Sequence, residues 1–552
     1  MMDKGQEIIS TYKTLESKRS PLDQYWREAF RFSWPLRGQG FLTQGNDGIS
    51  NASNAMRENS RILDSTGTDA AELLANSLIG GLTPKSSQWF ALSVPSVPDA
   101  HIPRTVRSWL QSSSETLFSM VHSSNYDAQA FEFFLDIAIA GMAGLYIERN
   151  ETTGNLHFEC WPLATLYVLD SDKSEKIDTV FRRIEYTNSE AAAKFGVGNL
   201  TSDQQTMLKT DPSNQSKHAY IHTIRPRLRN GKRPTGRMKK NLPFESTYVC
   251  LKTGKVVYES GYHEMPVIVP RWNVIPDTEY AVGPINKALP DIKTLNKIVE
   301  MMLTNMEMAI AGTFIAKDDG VLNPNTIRIG PRKIIFASDV DAIKPLTTGG
   351  NFRIVETEIM RLQSQIKRVM MSDELAPSQQ NRPMTAEEVR TRTQIIRQIL
   401  GPTYGRLQAE FLNPLISRVF GLALRSGQLG VPPEELQQFN FVPEYKSPLA
   451  RAQRFDDVAA MDRFEAALAQ SVQVLGQNIL DLYDADKAVQ KRAEMLGIPV
   501  ELMREQREVD QIRQQRQQAQ QEQMQQEQQM ALMQSQGQLS QKQSNELAQE
   551  IL

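Results

Sequence analysis

Two stretches of helical apolar spacing, separated by about 40 residues of a different pattern, restrict this chain more than any other feature. Downstream of Pro290, the residues Ile292, Leu295, Ile298, Val299, Met302, Leu303, Met306 and Ile310 keep the period of an α-helix. Pro290 itself stands where a first helical residue would, and about 22 residues at 1.5 Å each give a rod of roughly 33 Å. A second helix of similar length is predicted over 352–371, carrying Ile354, Ile359, Leu362, Ile366, Val369 and Met370. Between them, 313–316, 326–329 and 333–337 read as short strands, followed by Thr347-Thr348-Gly349-Gly350. Two matched helices with a small folded insert at the far end make a stalk with a tip. Such a hairpin cannot bury both faces within one copy, so neighbouring copies are the natural cover.

The stalk helices carry mixed-sign polar faces: Asp291, Lys293, Lys297 and Glu300 on the first, and Glu356, Glu358, Arg361, Lys367 and Arg368 on the second. Taken singly these are solvated helix faces; in a ring they would line a hole or a subunit interface. Met301, Met302, Met306, Met308, Met370 and Met371 suit adaptable helix packing.

With 552 residues the chain has room for two to four structural units. Leu22, Tyr25, Trp26, Ala29 and Phe30 predict a helix that Pro21 starts and Pro35 ends, with a Gly/Asn/Ser-rich loop over 38–53. A helix over 64–82 should stop at Gly80-Gly81, a strand is expected over 88–94, and helices over 103–123 and 128–140. After Gly141 and Gly144 the period changes from 3.6 to 2. Strands are predicted over 145–148, 157–168, 179–186, 219–227, 247–259 (turning at Thr253-Gly254) and 267–272. The first half is thus α+β, helices first and a mostly antiparallel sheet after.

Beyond the stalk, a polar loop over 376–383 precedes Thr385-Ala386-Glu387-Glu388, a capping box. It opens a helix to about Arg425 with kinks expected at Gly401-Pro402 and Pro414. An extended piece over 439–445 and two or three helices follow. Twelve of the twenty residues in 511–530 are Gln, which fits either a helical barrel or a disordered tail.

Charge and chemistry narrow the function classes. The 62 Lys plus Arg nearly cancel 64 Asp plus Glu, so a ligand held by bulk charge is not implied. Residues 225–240 hold eight basic and no acidic side chains, leaving a net of ten negative charges on the rest, from the overall −2. This segment reads as a solvated loop joining two strands, or a docking site for an acidic partner, ahead of a phosphate-binding hairpin. Two cysteines, Cys160 and Cys250, form no metal-binding or disulfide pattern. The N-terminus has no signal-peptide pattern, and no apolar run is long enough to span a bilayer, so a membrane is not an expected partner. Six histidines are scattered, and no nucleophile elbow, zincin or phosphate-loop motif occurs. The alternatives to a structural ring are an α+β enzyme using His157, Glu159 and Cys160, or a coat or baseplate protein without a DNA path.

The order of these elements, with several local strings, resembles the portal, or head-to-tail connector, proteins of T7-like short-tailed double-stranded DNA phages. The strings are Arg19-Ser20-Pro21, Trp89-Phe90-Ala91-Leu92, Ser124-Asn125-Tyr126, Ala140-Gly141-Met142-Ala143-Gly144-Leu145-Tyr146, the run over 280–295 and Arg382-Pro383-Met384-Thr385-Ala386-Glu387-Glu388-Val389. The resemblance covers about residues 5–500. It implies an α+β portal fold: wing 1–285, stem helices 286–312 and 351–372, α/β clip 313–350, tunnel loop 373–384, kinked long helix 385–430, helical crown 431–505 and a C-terminal barrel or tail 506–552. It implies a non-enzymatic dodecamer at one capsid vertex, without cofactor or metal. DNA would be driven through it during packaging and leave through it at ejection. Implied partners are the terminase large subunit, a tail adaptor, the major capsid and scaffolding proteins, and double-stranded DNA. Its implied location is the virion, with the host cytoplasm during assembly. The channel-facing candidates are Lys293, Lys297, Arg361, Lys367, Arg368, Gln379, Gln380, Asn381 and Arg382; the clip docking candidates are Arg328, Arg332 and Lys333.

Overall fold

A computed structural model describes the chain apart from residues 1–2, 43–49, 87, 94–101, 151–152, 172–175, 212–213, 228–237, 312–313, 317–342, 346–351, 373–400, 436–441, 445–457, 471–482, 497–503, 505 and 550–552. It divides into two units, Met1–Asp99 with Trp109–Ala452, and Ala100–Ser108 with Gln453–Leu552.

The larger unit starts with α1 (Lys4–Ser33), which runs straight through Pro21. Sequence reading placed Pro21 at the helix start, and the structure corrects this. Ile8, Ile9, Tyr12, Leu15 and Arg19 upstream are as buried as Trp26, Ala29 and Phe30 downstream, and packing on this scale outweighs the roughly 3 kcal/mol cost of an internal proline. The expected loop over 38–53 contains the short α2 (Gln39–Leu42) and the start of α3 (Ser50–Asn59). Next, α4 (Thr66–Leu82) continues through Gly80 and Gly81, where burial of Leu78 and Leu82 holds the last turn. The strand expected over 88–94 is reduced to β1 (Ala91–Ser93), paired antiparallel with β14 (Val442–Glu444). Helices α5 (Arg104–His122) and α6 (Tyr126–Ala140) lie within two residues of expectation. Gly141 ends α6 at φ 85°, and a Cβ there would stand 2.1 Å from the Val282 backbone, so only glycine fits.

A three-stranded sheet has the order β3-β2-β9, from β2 (Gly144–Arg149), β3 (Leu156–Trp161) and β9 (Val267–Ile268). A five-stranded antiparallel meander runs through β4 (Leu166–Leu169), β5 (Thr179–Thr187), β6 (Lys217–Pro226), β7 (Phe244–Cys250) and β8 (Val256–Tyr262). The single strand expected over 157–168 therefore splits. Pro162 lacks the N–H a ladder needs, and the 3₁₀ turn Leu163–Thr165 carries the chain from one sheet to the other. One face of the meander packs Tyr167, Phe181, Ile221 and Val249 under α1. The other packs Tyr220, Tyr248, Cys250 and Val257 under α7 (Asn188–Phe195) and α8 (Ser202–Thr210). Those two helices open on Thr187/Glu190 and Thr201/Gln204 capping boxes that sequence reading passed over.

Short strands β10 (Asn273–Val274) and β11 (Ala281–Val282) lead into α9 (Pro284–Ala311). Pro290 lies inside α9, not at its start. The carbonyl that Pro290 cannot bond, on Asn286, accepts instead from the Tyr25 hydroxyl at 2.9 Å. At the tip, β12 (Phe314–Ala316) pairs antiparallel with β13 (Ile343–Pro345). The strands expected over 326–329 and 333–337 lie outside the described residues, as do the loop over 376–383 and the Thr385 capping box. The return helix α10 (Phe352–Val369) ends in a turn with Met371 at φ 58°.

Residues 401–425 are helical, with a π turn at Gln408–Leu412 just before Pro414 and α11 (Asn413–Arg425) after it. Leu407, Phe411, Leu415, Val419 and Ala423 are all buried. A strict spacing of four drifts around a 3.6-residue helix, and the wider π turn takes up part of that drift. At the expected kink site, Pro414, the structure has this π turn immediately upstream.

In the smaller unit, residues 458–470 and Ala485–Leu496 are helical, with Arg492 pairing Asp462 at 3.0 Å and Glu465 at 2.5 Å. Gln506–Gln549 is one helix of 44 residues, about 66 Å long, which decides for helix in the Gln-rich stretch.

Candidate functional site

The α9–α10 hairpin is buried only at its root. On α9 the stripe Ile285, Ala288, Leu289, Ile292 and Leu295 lies against the body, and so do Leu362 and Ile366 of α10 and Met370 just after it. Leu303 and Met306 continue the α9 stripe three turns on, as residues 292 and 295 plus eleven, yet remain 47% and 39% exposed. Met301, Ile354 and Met360 point elsewhere on the hairpin and are 54%, 65% and 59% exposed. The projecting arm is therefore an apolar surface that nothing among the described residues covers.

The charged candidates are distributed along that arm. Lys293 donates to Glu28 of α1 at 2.7 Å and lies 5.6 Å from the Phe32 ring centre, so it ties the root of α9 to α1. Lys297 pairs with Glu300 at 2.8 Å and Arg361 with Glu358, both one turn away on the same helix. Lys367 and Arg368 are exposed in the last turn of α10, with no ion pair among the described residues. Gln379, Gln380, Asn381, Arg382, Arg328, Arg332 and Lys333 lie outside the described residues.

Of the basic segment, Arg225 and Arg227 are neutralised in a closed network. Arg225 reaches Glu7 at 2.8 Å and Glu245 at 2.5 Å, Arg227 reaches Glu259 at 3.3 Å, and Lys4 bridges Glu245 and Glu259 at 3.2 and 3.0 Å. Arg225 in turn holds the Glu245 carboxyl below the usual range despite its burial. The network joins the N-terminus of α1 to strands β6, β7 and β8.

The enzymatic alternative meets a structural obstacle. Cys160 is buried, contacts Arg37 Nη2 at 2.9 Å, and lies 3.9 Å from the Asp136 carboxylate. Burial first, and then Asp136, push its thiol well above the ordinary value, which is the wrong direction for a nucleophile. Arg37 meanwhile forms a two-pronged pair with Asp136 at 2.9 and 3.0 Å, which makes this polar intrusion into α6 a satisfied one. Glu159 is taken by Arg182 at 2.8 Å, and His157 is exposed on a strand. His222 stacks on Tyr248 at 3.9 Å and bonds Ser246 at 2.9 Å; burial, with Lys194 and Arg182, keeps its ring neutral. His122 Nε2 accepts from the Trp89 indole at 3.1 Å, which leaves Nδ1 to donate to Asp127 at 2.8 Å. These are packing histidines.

Sequence reading missed the role of Arg19. Buried beneath the 163–166 turn, it donates to the carbonyls of Leu163 and Ala164 at 3.0 Å each and to that of Leu166, and stacks over Tyr167 at 3.6 Å. Its only signal was its place in the string Arg19-Ser20-Pro21. Among the described residues no helix is long and apolar enough to cross a membrane.

The family model described as "Bacteriophage head to tail connecting protein" matches residues 5–503. The chain is 26% identical over 513 residues to the "Probable portal protein" of Bordetella phage BPP-1, covering 90% of this chain and 88% of that protein. It is likewise 26% identical over 519 residues to the "Portal protein" of Salmonella phage epsilon15, covering 91% and 89%. Among solved structures, a chain of the "Virion of native gene transfer agent (GTA) particle" aligns at 14% identity with a TM-score of 0.32, over 79% of this chain and 90% of that one.

Proposed function

The chain belongs to the bacteriophage head-to-tail connecting protein family, and from that premise we propose that its copies close into a ring at one capsid vertex and conduct double-stranded DNA. In this reading a packaging motor drives the duplex in through the ring, and the genome leaves by the same path at ejection. The role is structural, and the energy of packaging comes from a separate terminase large subunit. The observation that carries the reading is the projecting α9–α10 hairpin, whose uncovered Met301, Leu303, Met306, Ile354 and Met360 call for a neighbour on the arm itself. A dodecamer is the expected count from the family resemblance.

Residues 1–285 serve as the wing, α9 and α10 as the stem, and the β12–β13 insert as the clip. The 373–384 segment is the tunnel loop and the helices after it return to the wing and form the crown. The Gln-rich helix is a candidate barrel helix of the ring, since its exposed Met524, Met530 and Met533 have no cover among the described residues. The channel face comprises Lys297, Arg361, Lys367, Arg368, Gln379, Gln380, Asn381 and Arg382, with Lys293 at the root. A duplex carries one charge per roughly 1.7 Å, and a conduit must pass it without gripping it. Cations paired in place with Glu300 and Glu358 suit sliding better than a basic groove. Arg328, Arg332 and Lys333 would meet the motor and later the tail adaptor, while the wing meets the capsid and scaffolding proteins.

Electron microscopy of the purified protein tests this. Rings with a central opening wide enough for a duplex are expected; a monodisperse monomer, or rings closed at the centre as for a plain coat or baseplate protein, would refute it.

A further inference from the structure

The hairpin leaves the body at a sharply defined level. Among the described side chains Leu295 is the last buried apolar residue of α9 and Leu362 the first of α10. The next residue of each helix is a neutral amide, Asn296 and Gln363, and both reach the same stretch of chain between α3 and α4. Asn296 Oδ1 accepts from the Leu63 N–H at 2.7 Å, and its Nδ2 donates to the Arg61 carbonyl at 3.3 Å. Gln363 Nε2 donates to Asp64 Oδ2 at 2.8 Å, while the other Asp64 oxygen accepts from the Thr66 N–H at 2.9 Å. Among the described residues this is the one side-chain hydrogen bond that joins α10 to the rest of the protein.

The stretch is itself anchored. Arg61 pairs with Glu58 at 2.7 Å, Glu58 with Arg31 of α1 at 2.7 Å, and Thr68 donates to the Ser33 carbonyl at 2.7 Å. Gly67 lies against Ile292, where a Cβ would come within 3.0 Å of the side chain. Apolar contacts below this level have no direction and permit sliding or rocking of packed helices, whereas hydrogen bonds fix distance and angle.

We propose that the Arg61–Asp64 stretch is a clasp that sets the angle and mutual register of α9 and α10 where they leave the body, with Asn296 and Gln363 as its positioning residues. The clasp concerns a single copy and holds whether or not the hairpin lines a channel.

Two measurements on the full-length protein test it. Leu63 is itself 40% exposed, and Asn296 is the acceptor of its amide in the structure, so residue-resolved hydrogen exchange should show it protected. Asn296→Ala should accelerate that exchange roughly threefold to tenfold, the worth of one hydrogen bond. Asn296→Asp, which keeps the acceptor, should restore most of the protection. Spin labels on Thr304→Cys and Lys209→Cys, both exposed and with native Cys160 and Cys250 buried, report the arm's position relative to the body. Labelled copies diluted into unlabelled protein should give one narrow distance distribution that broadens in Asn296→Ala/Gln363→Ala while the melting temperature barely moves. Equal Leu63 exchange in the parent and Asn296→Ala, or an unchanged distribution in the double variant, overturns the proposal. If the double variant fails to fold, the exchange comparison between the parent, Asn296→Ala and Asn296→Asp decides alone.

Discussion

Replacing Ile354 by glutamate tests whether the bare arm is a contact between copies. Fully burying such a side chain is worth about 1.5–3 kcal/mol, and with Ile354 65% exposed, covering the remainder contributes about 1–2 kcal/mol. Ile354→Glu forfeits that and leaves a carboxylate without a partner in an apolar contact, a penalty of about 3–5 kcal/mol. The sum, about 4–7 kcal/mol at each contact between neighbours, lowers the association constant by roughly 10³–10⁵. Because the side chain is exposed within one copy, folding should change by no more than about 0.5 kcal/mol. Sedimentation velocity over a concentration series reads assembly, and a circular dichroism melt reads folding. The expected result is a folded protein that stays dissociated where the parent forms rings, with Leu303→Glu behaving alike. Rings forming at the parent's concentration with Glu at 354 would show that this face is not an interface, and the ring would lose the observation on which it rests.

Arg19→Met removes the donor that serves three backbone carbonyls, those of Leu163 and Leu166 buried, and should cost more than about 3 kcal/mol in a urea titration; a loss under 1 kcal/mol would mean the 163–166 turn finds other partners. Burial depresses the pKa of His222 well below 6.5 in the folded protein, so its contribution is complete above about pH 6.5 and is lost as pH falls, the unfolded chain taking up a proton the folded one refuses. His222→Gln should therefore flatten the decline in stability between about pH 6.5 and 5, read as the urea midpoint at each pH; an unchanged slope would place the acid sensitivity elsewhere.

Much of this architecture was legible in the sequence because a period of 3.6 or 2 records which face is buried. The stalk helices, α5, α6, β2 and β5 came through on that signal, and the β7–β8 hairpin on it together with the Thr253-Gly254 turn. Prolines misled where burial on both sides carried a helix through them, at Pro21 and Pro290. Local chemistry names a breaker; only the tertiary fold says whether it breaks. The capped helices α7 and α8 carried their signal in Thr187 and Thr201, but short helices between strands leave little periodicity to read. Of the candidate site, the charged residues of α9 and α10 were visible as a pattern. That Lys297 and Arg361 spend their charge on Glu300 and Glu358, and Lys293 on Glu28 of α1, depends on rotamers and neighbours that spacing does not record.

The hydroxyl of Tyr25 bonded to the Asn286 carbonyl makes Tyr25 answerable to Pro290, a residue distant from it along the chain. With Pro290 in place, Tyr25→Phe strands a backbone acceptor inside α9. With Pro290→Ala the helix would supply its own amide to that carbonyl, and the phenol would become dispensable. The two substitutions should therefore be epistatic, the second relieving the first. A relative that lacks the proline is then under no pressure to keep the tyrosine, so the pair is expected to drift together or not at all.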